Sequence, residues 1–177
     1  MSAKKAPAKR RSTAVKAEPS GSTQSAAERR AAEAQISTLI AKFASAHVKL
    51  IAATRRTLRK RLPTAHEIMY EYRAWFVISY SPNERGYEGL LALRGSADGV
   101  KLYFNRSQEL PDPAKLLQGP SKQQARWIDL EAASTLARPE VARLIDEAIA
   151  RNPVPFAPAD RGSVVIRSTS AKPRRPA

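Results

Sequence analysis

The sequence predicts a two-layer α+β domain, with N-terminal helices and a C-terminal helix packed on an antiparallel sheet of three to five strands. Three observations carry this expectation. Apolar residues recur at helical spacing in the first third of the chain, at Ile36, Leu39, Ile40 and Phe43. The middle changes to aromatic and β-branched runs with a period of two. A second helical stripe closes the pattern at Val141, Leu144, Ile145 and Ile149.

Residues 25–61 contain neither Pro nor Gly and are rich in helix formers. Ser45 is the expected N-cap of a second helix there, which turns Ile51, Leu58 and Leu62 inward and leaves Arg55, Arg56, Arg59 and Lys60 outside. Pro63 stops that helix, and Thr64 is expected to cap a further helical turn through His66, Glu67, Ile68 and Met69. Strands follow at residues 75–80 and 89–94, separated by the turn-forming Ser81, Pro82, Asn83 and Gly86. A tight connection ending in Asp98-Gly99 leads to a strand at 100–105. There Val100, Leu102 and Phe104 alternate with Lys101, Tyr103 and Asn105, as they do when one sheet face is buried. An edge strand at 125–130 comes after a Pro-rich loop, and Pro139 opens the closing helix as its first residue. The expected organisation is a disordered basic tail at 1–24, the domain at 25–151, and a basic, mostly disordered tail at 152–177. In that last segment Val164, Val165 and Ile166 form a possible docking strand.

Charge is unevenly placed. The formal net charge is +15, from 31 Lys and Arg against 16 Asp and Glu. Residues 1–30 hold a surplus of six, residues 152–177 a surplus of four, and the run 55–61 another five, so the remaining chain is formally neutral. There is no cysteine, which removes disulfides and thiolate metal sites and fits a reducing cytoplasm. No apolar run approaches the roughly 20 residues of a membrane helix, and no secretory signal stands at the N-terminus.

No motif for nucleotide binding or a nucleophile elbow is present, so no catalytic residue and no cofactor are assigned. His47 and His66 lack the spacing of a metal site, and no metal is assigned. The basic run reads two ways. Arg55, Arg56, Arg59, Lys60 and Arg61 form either an anion-contacting surface or a solvated helix end whose cations suit the helix dipole. Glu67 and Glu71, four apart, would share one face of the expected helix, either as a carboxylate pair or as partners of nearby arginines. With Tyr70, Tyr72, Tyr80 and Tyr103 they mark a possible pocket, beside the plainer reading of half-buried core tyrosines.

Several ordered motifs resemble the bacterial YdhG-like family, a domain family of unknown function. They are Tyr70-Glu71-Tyr72, Tyr80-Ser81-Pro82, the stretch 99–104, Leu110-Pro111-Asp112-Pro113, Leu116-Leu117-Gln118-Gly119, Lys122 and Arg138-Pro139. The segments 165–168 and 173–176 are similar to C-termini within that family. The resemblance implies an α+β fold with an antiparallel sheet and supplies no catalytic residues. Some of its members are described as frataxin-like iron chaperones, which rely on an acidic ridge. Here the first helices carry few carboxylates and then the basic run, so iron binding is not transferred. The expectation is a non-enzymatic binding module whose basic tails attract a polyanion, nucleic acid included, through salt-sensitive phosphate contacts. The alternative is a small-molecule or metal-handling protein; oligomeric state is left open.

Overall fold

The computed structural model describes residues 22–86, 88–158 and 161–168. Of the expected tails at 1–24 and 152–177, residues 1–21, 159–160 and 169–177 lie outside the described residues, as does Tyr87. Helix α1 spans Ala26–Ile40 and opens with a reciprocal capping box, in which Ser25 accepts from the Glu28 amide and Glu28 accepts from the Ser25 amide. Helix α2 spans Ser45–Arg61. Ser45 is its first residue rather than its cap; Ala44 holds the cap position and offers no side-chain acceptor.

Strand β1 is His66–Glu71, β2 Trp75–Ser81, β3 Leu91–Ser96, β4 Gly99–Phe104, β5 Arg126–Asp129 and β6 Val164–Ser168, with helix α3 at Pro139–Arg151 between the last two. The expected helical turn at His66 to Met69 is therefore a strand. Residues 66–69 are buried on both faces and pair with β2 on one side and β6 on the other, so sheet pairing overrides the capping signal at Thr64. The sheet has six strands in the order β5-β4-β3-β2-β1-β6, and β6 runs parallel to β1. It is thus larger than the three to five strands expected, and mixed rather than purely antiparallel. Part of the segment after residue 151, expected to be mostly disordered, completes the sheet.

Register explains the core. Across the sheet Met69, Ile78, Leu93, Leu102 and Ile128 lie in one row on one face. Ile36 and Ile40 of α1, Ile51 and Leu58 of α2, and Val141, Leu144 and Ile145 of α3 join them in one apolar cluster. Pro139 takes the first-turn position of α3 as the sequence predicts. Gly95 lies opposite Phe76, whose ring sits where a Cβ would stand, at 2.4 Å. The other face is more polar and carries Arg94 over the Trp75 ring at 4.7 Å and Lys101 over Trp127 at 5.0 Å. No helix among the described residues is long and apolar enough to cross a membrane.

Candidate functional site

In the next row of that core-facing side stand Glu67 of β1 and, opposite it, Tyr80 of β2. An acid at a core position requires a countercharge, and α2 supplies two. Arg55 lies four residues after Ile51 and three before Leu58, inside the apolar stripe of α2, and is buried with them. Its guanidinium bonds Glu67 at 2.6 Å and Glu33 of α1 at 3.2 Å. Arg59, one turn later, donates through Nε to Glu67 at 3.0 Å, and its terminal nitrogen also reaches both carboxylates. Burial pulls the Glu67 carboxyl upward in pKa, but Arg55 and Arg59 outweigh it and hold it below the usual carboxylate range. Burial works against the charge of each arginine, and Glu67 reverses this, leaving both more basic than usual. The Tyr80 phenol is fully buried and makes no well-formed hydrogen bond among the described residues. Burial first, and then the nearby Glu67 charge, push its pKa well above the ordinary value.

This network forms one wall of a cavity of about 400 Å³. Arg29 enters from α1, Arg59 from α2, and Glu67 and Tyr80 from the sheet. Leu62, Pro63 and Ala65 line it from the turn after α2; the remaining wall is a strap at 161–164 with Pro158. Among the described residues, three arginines therefore share the lining with one acidic residue, Glu67.

The strap is held closely. The Glu67 amide donates to the Ser163 carbonyl at 2.9 Å. The Ser163 amide lies 3.1 Å from His66 Nδ1 on that buried ring. The Ser163 hydroxyl lies 2.7 Å from Nδ1 and donates to Glu84 at 2.7 Å. This trio is a structural clamp: His66 is wholly buried and Ser163 only 1% exposed, so neither offers a reacting atom to a ligand. The Gln24 side chain bonds both the amide and the carbonyl of Val164, at 2.9 and 2.8 Å, in place of a further strand. Arg29 donates to the Gly162 carbonyl. Gly162 passes so close to the preceding loop that a Cβ would stand 1.9 Å from the Ala65 carbonyl oxygen. Burial lowers the pKa of Arg29, and the neighbouring Arg161 and Arg59 cations lower it further.

The structure does not bring all the sequence-marked residues together. Glu67 and Tyr80 share the cavity, whereas Glu71 and Tyr72 border a separate depression beside Phe43 and Trp75. Glu71 pairs there with Lys42 at 2.7 Å, and Tyr72 stacks on Trp75 with ring centres 3.7 Å apart. Because β1 is a strand, Glu67 and Glu71 still share a face, but they stand at its two ends rather than one helical turn apart. Tyr70 packs its hydroxyl beside Gly86, and Tyr103 accepts from Arg94 at 3.2 Å next to Trp127.

The basic run is likewise divided. Arg55 points inward, against the expectation that it lies outside, because it neutralises Glu67. Arg59 is half-buried on the same acid, and Arg61 bonds the Ala142 carbonyl at 2.8 Å and Asp146 at 2.6 Å. Arg56 and Lys60 are exposed. Among the described residues no group of three or more His, Cys, Asp or Glu is placed to hold a metal ion.

The sequence reading missed Arg29, Arg161 and the strap, which are distant in the chain and join only through β6. One signal was present: Arg55 interrupts the spacing of Ile51 and Leu58, and such a charge needs a buried acid. No family model, curated protein or solved structure matches this chain.

Proposed function

We propose that this protein is a non-enzymatic binding module whose cavity between α1, α2 and the strap takes an anionic ligand. The observation that carries this reading is the surplus of arginine over acidic residues among the described residues of a partly enclosed surface, with Glu67 already committed to Arg55 and Arg59. Arginine forks there suit carboxylate or phosphate oxygens. The test is thermal unfolding against a panel of small anions at fixed ionic strength. Anions that raise the melting temperature of the native chain, and fail to do so for Arg161→Met, support it; a panel without effect refutes it.

A second reading keeps the polyanion attraction suggested by the tails. It rests on the exposed Arg56 and Lys60 and on the basic surplus in residues 1–30. Such binding would fall steeply with salt and would be weakened in a chain starting at residue 22. Membership of the YdhG-like family and a cytoplasmic location belong to this proposal too. They are supported by the ordered motifs and by the absence of cysteine respectively. Iron handling gains no support, since Glu33 and Glu67 are both held by arginines.

A further inference from the structure

We infer that the cavity selects a dianionic phosphomonoester group, the arginines taking the phosphate and the apolar lining taking what is attached to it. This rests on the anion-binding reading above and narrows it. Among the described residues, Arg29, Arg59 and Arg161 line the cavity against Glu67 alone, a formal surplus of two positive charges. Behind them Arg55 and Glu33 cancel, so the surplus is unchanged when the ion pairs of the described residues are included. A monoanion would leave one of those charges uncompensated in a half-buried setting, whereas a dianion matches both.

Shape agrees with charge. The three arginines come from three different elements, α1, α2 and the strap. A phosphomonoester presents three terminal oxygens in a tetrahedral array, which can meet donors from three sides; a planar carboxylate has two. Arg29 is held less basic than usual, first by its burial and then by the Arg161 and Arg59 charges, with Glu33 and Glu67 acting the other way. Leu62, Pro63, Pro158 and Val164 supply an apolar side for the ester body. The volume of about 400 Å³ lies within the roughly 300–1,000 Å³ of small-molecule sites, so a phosphate with a compact substituent fits. The group can come from a small phosphorylated metabolite or from the terminal phosphate of a nucleic acid strand.

The test is calorimetric titration of the full chain with phenyl phosphate and with phenyl sulfate, an isosteric monoanion. At pH 7.5 phenyl phosphate is expected to bind at least tenfold tighter. At pH 5 it becomes a monoanion, since such groups lose their second proton near pH 6, and the advantage should shrink to within about twofold. Phenyl sulfate keeps its charge at both pH values and so reports any change in the protein itself. Arg161→Met and Arg29→Met should each weaken phenyl phosphate at least tenfold, and Arg56→Met, outside the cavity, should not.

Equal affinity for the two probes at pH 7.5 overturns the dianion inference while leaving the anion site standing. Absence of binding by both overturns both readings. Tight binding unaffected by Arg161→Met and Arg29→Met places the ligand elsewhere and also overturns the inference. A 5′-phosphorylated thymidine tetramer and its 5′-hydroxyl form separate the sources. Preference for the phosphorylated strand over phenyl phosphate supports a nucleic-acid end, and the reverse order supports a small metabolite.

Discussion

Glu67 sits on a core-facing position of a central strand with its carboxylate 3% exposed, a place a charge occupies only when paired. Removing one member of such a pair is costlier than the pair's net worth, because the partner is left charged and buried. Glu67→Gln should therefore destabilise the fold by about 3–5 kcal/mol in urea denaturation, with Arg55 left to Glu33. The pH dependence has a fixed sign. The folded-state pKa of Glu67 lies below its unfolded value of roughly 4.3, so its stabilisation is complete above that pH and is lost as pH falls through the folded value. The stability gap between native chain and Glu67→Gln should be constant from pH 6 to 8 and narrow below about pH 4. Tyr80 behaves differently. Its hydroxyl has no well-formed partner among the described residues and only a weak interaction with Glu67, so Tyr80→Phe should cost less than about 1 kcal/mol at pH 7. Its raised pKa means the folded state keeps a proton that the unfolded chain releases above roughly pH 10. Native stability should decline there, and Tyr80→Phe should lack that part of the decline, as measured by denaturation between pH 9 and 11.

At the scale of elements, the strap before β6 is the part on which the cavity depends. It carries Arg161, closes one wall, and lies on β1 through the Glu67 amide and His66. Gly162→Ala would set a methyl against the backbone of Ala65 and His66, atoms that cannot swing aside as a side-chain tip can. Overpacking of that kind costs about 2–3 kcal/mol, and the variant should lose anion binding together with stability in thermal unfolding with and without ligand. Gly99→Ala makes a contrasting control, because no atom of the described residues lies within 4 Å of its added methyl and its φ of 129° is what resists. Elements with a local signal were legible in the sequence. The period-two run of β4, the stripe of α3 and its Pro139 need no distant partner to be read. Strand β1 was not, because His66, Glu67, Ile68 and Met69 become a strand only through β2 and β6, and the second of these lies almost a hundred residues on. The candidate site was half legible for the same reason: Glu67, Tyr80 and Arg59 were marked, though not as one site, whereas Arg29 and Arg161 join them only through tertiary contacts.

At the scale of the molecule, charge and fold divide the chain at different points. The basic surplus after residue 152 suggested a tail, yet β6 is the sixth strand, and its loss would uncover the edge of β1. Val164 is 2% exposed and belongs to the main apolar cluster, and Gln24 before α1 is bonded to it, so both ends of the described chain meet at this edge. A chain of residues 22–168 should thus unfold cooperatively near the native midpoint. One of residues 22–151, which keeps all three helices and five strands, should be destabilised and associate through the bare β1 edge. Urea denaturation and size-exclusion chromatography of the two would decide it, and a cooperative, monomeric 22–151 chain would show that the parallel strand is an accessory. The same pair separates the two kinds of anion attraction. The 22–168 chain keeps Arg29, Arg59 and Arg161 but lacks the basic residues before 22 and after 168. Small-anion binding should survive in it at full strength while salt-sensitive binding of long polyanions falls, because the first depends on a built cavity and the second on summed charge.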